Sequence, residues 1–352
     1  VAWALLVALP LSLLVGELVL VIGRASDQRT AAAFEKAHPS VFEGLPLREA
    51  ADQSLWLVRW QKYRPGARLE LDVGGQTVRV AINGRGFRTR DFDVPKPPRT
   101  IRVVCIGGST TVQGSTNDET YPAILEELLK PSVASPVEVL NLGVSGAYSD
   151  HWLQEKDELF SFEPDVVVQY EGVNDIMWRA LPRFAQTHPW RRRMSMSLLL
   201  PWLLPLNPRE LDPELGRIVS NQTRLAELCA KRGIVHLSGA FAAPDYGEAS
   251  PEMRAYLDVD VSRWSGDRGA LRLWWFSDYA RIVDRYNALL AERVGSGGPV
   301  RVDRDLEDPA LFVDLCHGTR EGIARMAAAF LPRVREAVRG VASRRGGDPQ
   351  GS

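Results

Sequence analysis

The chain has 352 residues, of which 45% are hydrophobic and 25% charged. That is the make-up of a globular protein, and it excludes wholesale disorder, a collagen-like fibre and a coiled coil. Lys and Arg number 43 against 44 Asp and Glu, a formal charge of −1, so no global field draws the chain onto nucleic acid. Cys105, Cys229 and Cys316 are too few and too scattered for a disulfide framework or a zinc knuckle.

Val1 to Ile22 is almost wholly apolar, broken by Glu17 and Pro10. At about 1.5 Å per helical residue it is long enough for a hydrocarbon layer of roughly 30 Å. Residues 1–23 are therefore expected to form an uncleaved transmembrane anchor. With no Met and no basic stretch ahead of it, the sequence is expected to begin partway into that segment. The rival is a signal peptide cut near Ala31–Ala33, but that site lies well past the apolar run. Arg24 and Arg29 follow the segment and speak mildly against export.

Residues 24–99 are expected to form a juxtamembrane region. It opens with a helical stretch to about residue 65 that contains Leu55, Trp56, Leu57, Val58 and Trp60. Residues 67–82 alternate apolar and polar about Gly74-Gly75, a hairpin signature. Residues 83–100, rich in Gly, Arg and Pro, read as a linker.

From residue 100 strands and helices alternate. Ile101–Ile106, Val137–Leu140, Asp165–Tyr170, Ile234–Leu237 and Val300–Val302 read as five strands, the first a nearly continuous apolar run of the kind buried on both faces. Helices are expected at Thr120–Lys130, Asp150–Phe160, 213–232, 278–294 and Thr319–Val338, with Gly233 closing the third. The pattern predicts an α/β fold, a parallel five-stranded sheet in a three-layer α/β/α sandwich. This domain spans 100–340, with insertions at 176–212 and 243–277 and a disordered tail at 341–352. The first insertion holds a basic triplet and a Leu-rich run too short for a bilayer. The second holds Trp264, Trp274, Trp275 and Phe276. Either could line a cleft or lie at a membrane surface, and simple packing is as good an account of the aromatic group.

In an open parallel sheet, ligands bind beyond the C-terminal strand ends. Gly107-Gly108-Ser109 follows the first strand, Asn141-Leu142-Gly143 the second and Gly172-Val173-Asn174-Asp175 the third; Asp314-Leu315-Cys316-His317 precedes the last helix. Ser109 sits on a glycine-supported turn from strand to helix, where its oxygen can enter a cleft. His317 is the base a hydroxyl nucleophile needs, and Asp314, three residues before it, can hold the imidazole. The Gly143 N–H and the Asn174 amide suit an oxyanion hole. Each motif alone is weak: Asn-Asp is more often a helix cap, Asp-x-x-His a surface contact. Their joint order at strand ends carries the reading. No dinucleotide or P-loop pattern is present. His38, His151, His188 and His236 form no metal cluster: His236 is expected to be structural and His151 to start a solvated helix. Cys316 is assigned to packing.

The blocks GGST at 107–110, NLGVSG at 141–146, GVND at 172–175 and DLCH at 314–317 resemble those of the SGNH (GDSL-type) hydrolase superfamily. The resemblance covers about 100–338 and departs from the name motif at Gly108 and Thr110. It implies a flavodoxin-like fold and a triad of Ser109, His317 and Asp314. The oxyanion donors would be the Ser109 N–H, Gly143 and Asn174. It further implies a serine esterase that needs no cofactor or metal and acts on O-acyl carbohydrate or lipid. An acyltransferase with the same triad, moving acetyl groups onto envelope polysaccharide, and a catalytically silent binding module are the alternatives. INGRGFRTRDF at 82–92 looks like the lead-in of membrane-anchored bacterial members. The expected setting is thus a single-pass protein of the bacterial inner membrane with its catalytic domain outside the cytoplasm.

Overall fold

The computed structural model describes residues 2–38, 62–73, 76–266, 270–295 and 297–346. The apolar group at Leu55–Trp60, the Gly74-Gly75 turn and the tail from 347 lie outside the described residues. Helix α1 (Ala2–Ala37) does not stop after the apolar run. It continues through a charged stretch and packs along α7 (Pro251–Gly266), burying Ala31. Arg24 is buried too, donating to the Asp258 carbonyl and facing the Trp274 ring 5.8 Å away. Among the described residues no helix is long and apolar enough to cross a membrane. The expected span, part of whose side chains fall outside the described set, therefore has no counterpart there. Glu17 interrupts the apolar run and Arg24 and Asp27 follow it; Glu17 and Arg24 are tied to protein groups.

β1 (Arg68–Val73) and β2 (Gln76–Ala81) form the expected hairpin, with Arg68 opposite Ala81. The stretch after it is not a linker. Phe87 and Phe92 are buried with Trp152 and Phe162, and the Arg88 guanidinium is 1% exposed. Arg88 donates to the carbonyls of Val112 (2.6 Å) and Gly114 (2.7 Å). Two aromatic rings in a Gly- and Arg-rich stretch supply enough apolar area to dock it.

The main sheet runs β4 (Val137–Asn141), β3 (Ile101–Gly107), β5 (Val166–Tyr170), β6 (Val235–Ser238), all parallel. The strands are short, with apolar residues interrupted by Arg102, Glu138, Gln169 and His236, and side chains alternate between faces. Val103 and Cys105 pack with α3 (Tyr121–Leu129) and α9 (Arg320–Gly346). Val104 and Ile106 meet Trp152, Phe162 and Leu225 of α6 (Asp212–Ala230) on the other side. A fully buried Val or Ile contributes about 1.5–3 kcal/mol, which makes this double-faced burial the main hold on the layers.

The sheet has four strands among the described residues, not five. Val300 makes a single parallel bridge to Gly239, and from Val302 the chain turns into a short helix to Asp305. Val300-Arg301-Val302, with a charge at its centre and Asp-Arg-Asp after it, is too short an apolar segment to extend the ladder. The expected helix at Asp150–Phe160 is two pieces, His151–Gln154 and Lys156–Ser161. Gly233, at φ +71°, closes α6 as expected. Residues 341–346, assigned to the tail, continue α9 and bury Val341.

The first insertion carries α4 (Pro189–Met194) and α5 (Leu199–Leu203). The second carries α7, after which α8 (Phe276–Arg293) resumes the layered pattern.

Candidate active site

The site forms where β3, β4 and β5 end. Backbone crowding explains the glycines after β3. A Cβ on Gly107 would lie 2.2 Å from the Tyr170 carbonyl oxygen, and one on Gly108 would lie 2.7 Å from the Asn174 amide nitrogen. Without side chains at either position, the strand passes straight into α2 (Ser109–Val112), and Ser109 is its first residue. The Ser109 N–H therefore has no intrahelical acceptor. Its side chain is half-buried while Thr110, Thr111 and Val112 are buried.

Across the cleft, residues 312–318 make a tight loop closed by the Val313 N–H to the His317 carbonyl, 2.9 Å. The His317 Nε2 lies 2.8 Å from the Ser109 Oγ. Its Nδ1–H donates to the Asp314 Oδ2 at 2.6 Å. The other carboxylate oxygen accepts from the backbone N–H groups of Cys316 (2.8 Å) and His317 (2.7 Å). Burial pushes the Asp314 carboxyl up, but the imidazole and these hydrogen bonds outweigh it and hold it below the ordinary carboxylate value. The carboxylate is fully buried and stays ionised beside the ring, so Nδ1 keeps its proton and Nε2 is left to accept one.

The oxyanion side is assembled only in part. Asn174 is buried, and one amide hydrogen donates to the Ala147 carbonyl at 2.9 Å. The second hydrogen of that amide remains, and its nitrogen abuts Gly108. The Gly143 N–H, expected to face the oxyanion, instead donates to the Asn141 Oδ1 at 3.0 Å. A Cβ on Gly143 would meet the Thr111 side chain at 2.8 Å, so this glycine is required for close packing against α2.

Two features had no clear sequence signal, and a third resolves the aromatic group of the second insertion. Gln113 is fully buried and its Oε1 accepts from the Gly318 N–H at 2.8 Å, tying α2 to the His317 loop. Asp175 accepts from the Ser149 N–H (2.7 Å) and Oγ (2.9 Å), which anchors the loop bearing Ala147. Burial raises its carboxyl to about 6. Trp264 and Trp178, one from each insertion, stack at 5.6 Å, and the Trp264 ring lies 6.4 Å from the imidazole of His317. The rest of the second insertion's aromatic group turns elsewhere: Phe276 is buried and the Trp274 Nε1 donates to the Ser195 carbonyl.

Asp314, Cys316 and His317 offer ligand atoms within 4.8 Å of one another. The carboxylate and the Nδ1 among them are already joined, so they do not present an open set of metal donors. His236 is held by Gln169 at 2.9 Å. His151 is buried against Trp152 rather than solvated, because its helix start is covered by the Phe87 cluster. A small pocket lined by Met194, Leu206, Arg272 and Leu273 contains none of the serine, histidine or oxyanion residues.

Residues 105–347, well over half the chain, match the GDSL-like Lipase/Acylhydrolase family. No curated protein matches the chain. Among solved structures, the acetyl xylan esterase AlAXEase is similar at 17% identity and TM-score 0.41, with 66% of this chain and all of that one covered. Axe2, an acetylxylan esterase from Geobacillus stearothermophilus, is similar at 19% identity and TM-score 0.39, covering 66% and 94%. A carbohydrate acetylesterase family member from Sinorhizobium meliloti is similar at 14% and 0.40, covering 68% and 99%. Likeness at this level assigns neither acyl group nor alcohol.

Proposed function

Because the chain belongs to the GDSL-like lipase/acylhydrolase family, we propose that it is a serine ester hydrolase acting on small O-acyl groups of carbohydrate through an acyl-enzyme on Ser109. One observation carries the reading: hydroxyl, imidazole and carboxylate stand in series at 2.8 and 2.6 Å, with a buried carboxylate at the far end.

The Ser109 Oγ attacks the ester carbonyl carbon as the His317 Nε2 takes its proton. The ring becomes an imidazolium held by Asp314. The carbonyl oxygen takes up negative charge, and the Ser109 N–H with the free amide hydrogen of Asn174 receive it. Collapse breaks the bond to the alcohol, which leaves with the proton from Nε2. Water then gives a proton to Nε2 and attacks the acyl-serine; as the acyl–Oγ bond breaks, Nε2 returns that proton to the Ser109 Oγ and the carboxylic acid leaves. The Trp264 ring beside the imidazole, backed by the stacked Trp178, offers an aromatic face suited to a sugar ring, which supports a carbohydrate as the alcohol.

The test is turnover of p-nitrophenyl acetate and of acetylated xylo- and gluco-oligosaccharides by the wild type and Ser109→Ala. Wild-type hydrolysis with none above background in the variant, at an unchanged Tm, is the expected result. Retained turnover in the variant overturns the assignment of Ser109.

A further inference from the structure

We propose that residues 11–22 of α1 and residues 196–204 together form one surface that docks on a lipid bilayer bearing anionic headgroups, lying in its interface rather than crossing it. Among the described residues, every exposed large apolar side chain except Val94 and Leu128 falls within 11–22 or 190–204. Leu14, Val19 and Ile22 on α1 are joined by Met196, Trp202 and Leu204, each more than half exposed. A patch of this kind on an otherwise ordinary surface marks an interaction site.

The two stretches are locked together. The Glu17 Oε1 accepts from the Leu198 N–H at 2.9 Å, and its Oε2 accepts from the Ser197 Oγ (2.6 Å) and the Leu199 N–H (2.9 Å). The only acidic side chain in the apolar part of α1 thus has both oxygens occupied by the start of α5, which lowers the cost of moving it out of water. Gly16 permits the approach, since a Cβ there would touch the Leu199 side chain at 3.3 Å.

Charge selects the occupant. Residues 189–206 carry Arg191, Arg192 and Arg193 and no acidic residue. Arg191 pairs with Glu210 and donates to the Leu204 carbonyl at 2.9 Å, which sets α4 at the end of α5. Arg192 and Arg193 are exposed. Basic residues beside an apolar face flanked by Trp190 and Trp202 match the boundary between headgroups and acyl chains. A second copy of this chain placed symmetrically there would oppose arginine to arginine.

The test uses the full chain. Cys105, Cys229 and Cys316 are buried, so Leu203→Cys can be labelled selectively with an environment-sensitive fluorophore. On adding vesicles of phosphatidylglycerol and phosphatidylcholine, the label should brighten and shift to the blue as the protein co-sediments. Partition should fall at least tenfold with pure phosphatidylcholine or with Arg192→Ser/Arg193→Ser, and likewise with Trp202→Glu/Leu203→Glu, while ester turnover and Tm hold. No sedimentation overturns the proposal. So does sedimentation with an unchanged label, which would leave α1 as the sole contact. A shift that follows protein concentration without lipid would assign the surface to a second copy and also overturn it.

Discussion

The reacting groups are held by contacts that single substitutions can separate. Asn174→Ala removes the side-chain donor to the developing oxyanion and also the bond to Ala147. The expected loss is about 10²–10³-fold in kcat with KM little changed, measured in steady-state ester assays; an unchanged kcat would remove Asn174 from the mechanism. Trp264→Ala should act on the opposite parameter. It strips the wall beside His317 without touching the proton path, so KM for an acetylated oligosaccharide should rise roughly tenfold while kcat stays within about twofold. At this scale much was readable in the chain. Ser109, His317 and Asp314 could be picked out because they follow, or sit opposite, apolar strands whose ends meet at one edge. The engagement of the Gly143 N–H by Asn141 could not, because an i−2 side-chain acceptor leaves no mark in a motif. Trp178 and Trp264 lie 86 positions apart and meet only through the packing of two insertions.

Between elements, the decisive contact is Gln113 at the end of α2. Besides the contact between Ser109 and His317 themselves, its side chain ties the helix bearing the nucleophile to the loop bearing the base. Gln113→Met keeps length and apolar bulk but leaves the buried Gly318 N–H without its acceptor. Such an orphan costs about 1–3 kcal/mol, and a loosened His317 loop lengthens the contact with Ser109. The expected outcome is a lower Tm and a kcat reduced roughly tenfold or more; equal kcat would mean that the loop is positioned by its own turn. Patterning read the elements unevenly. β3 and β5 were legible as nearly continuous apolar runs, interrupted only by Arg102 and Gln169, and α6 through its Gly233 stop. The fifth strand failed because Val300 and Val302 are separated by Arg301, and the chain turns into a helix from Val302 to Asp305. Residues 83–93 failed in the opposite sense: Gly and Arg suggested solvent, whereas Phe87 and Arg88 are buried.

For the molecule as a whole, buried ionisable groups shape the response to acid. Burial lowers His151 and His236 from 6.5 to about 4. Between about pH 4 and 6.5 the unfolded chain therefore binds protons that the native state refuses, and stability falls as pH drops through that window. Each histidine can account for up to about 3 kcal/mol of that loss. Asp175 and Asp258, raised to about 6 by burial, act the other way, because the native state holds protons there that the unfolded chain gives up. His151→Phe keeps the packing on Trp152 and removes one proton acceptor. The gap between Tm at pH 7 and at pH 5 should narrow in this variant relative to wild type; a gap as wide as before would show that His151 is solvated when it titrates.

The buried guanidinium of Arg88 has one more consequence, for anyone shortening the protein. A cut at residue 100 looks safe, since it precedes the whole layered sheet. It would nonetheless strip the plug from beneath the nucleophile helix, leaving the carbonyls of Val112 and Gly114 facing a void. The smallest autonomous hydrolytic unit of this chain therefore includes the hairpin and the aromatic strap behind it, and its natural boundary lies upstream of Tyr63, whose hydroxyl takes the Ser145 N–H at 2.9 Å.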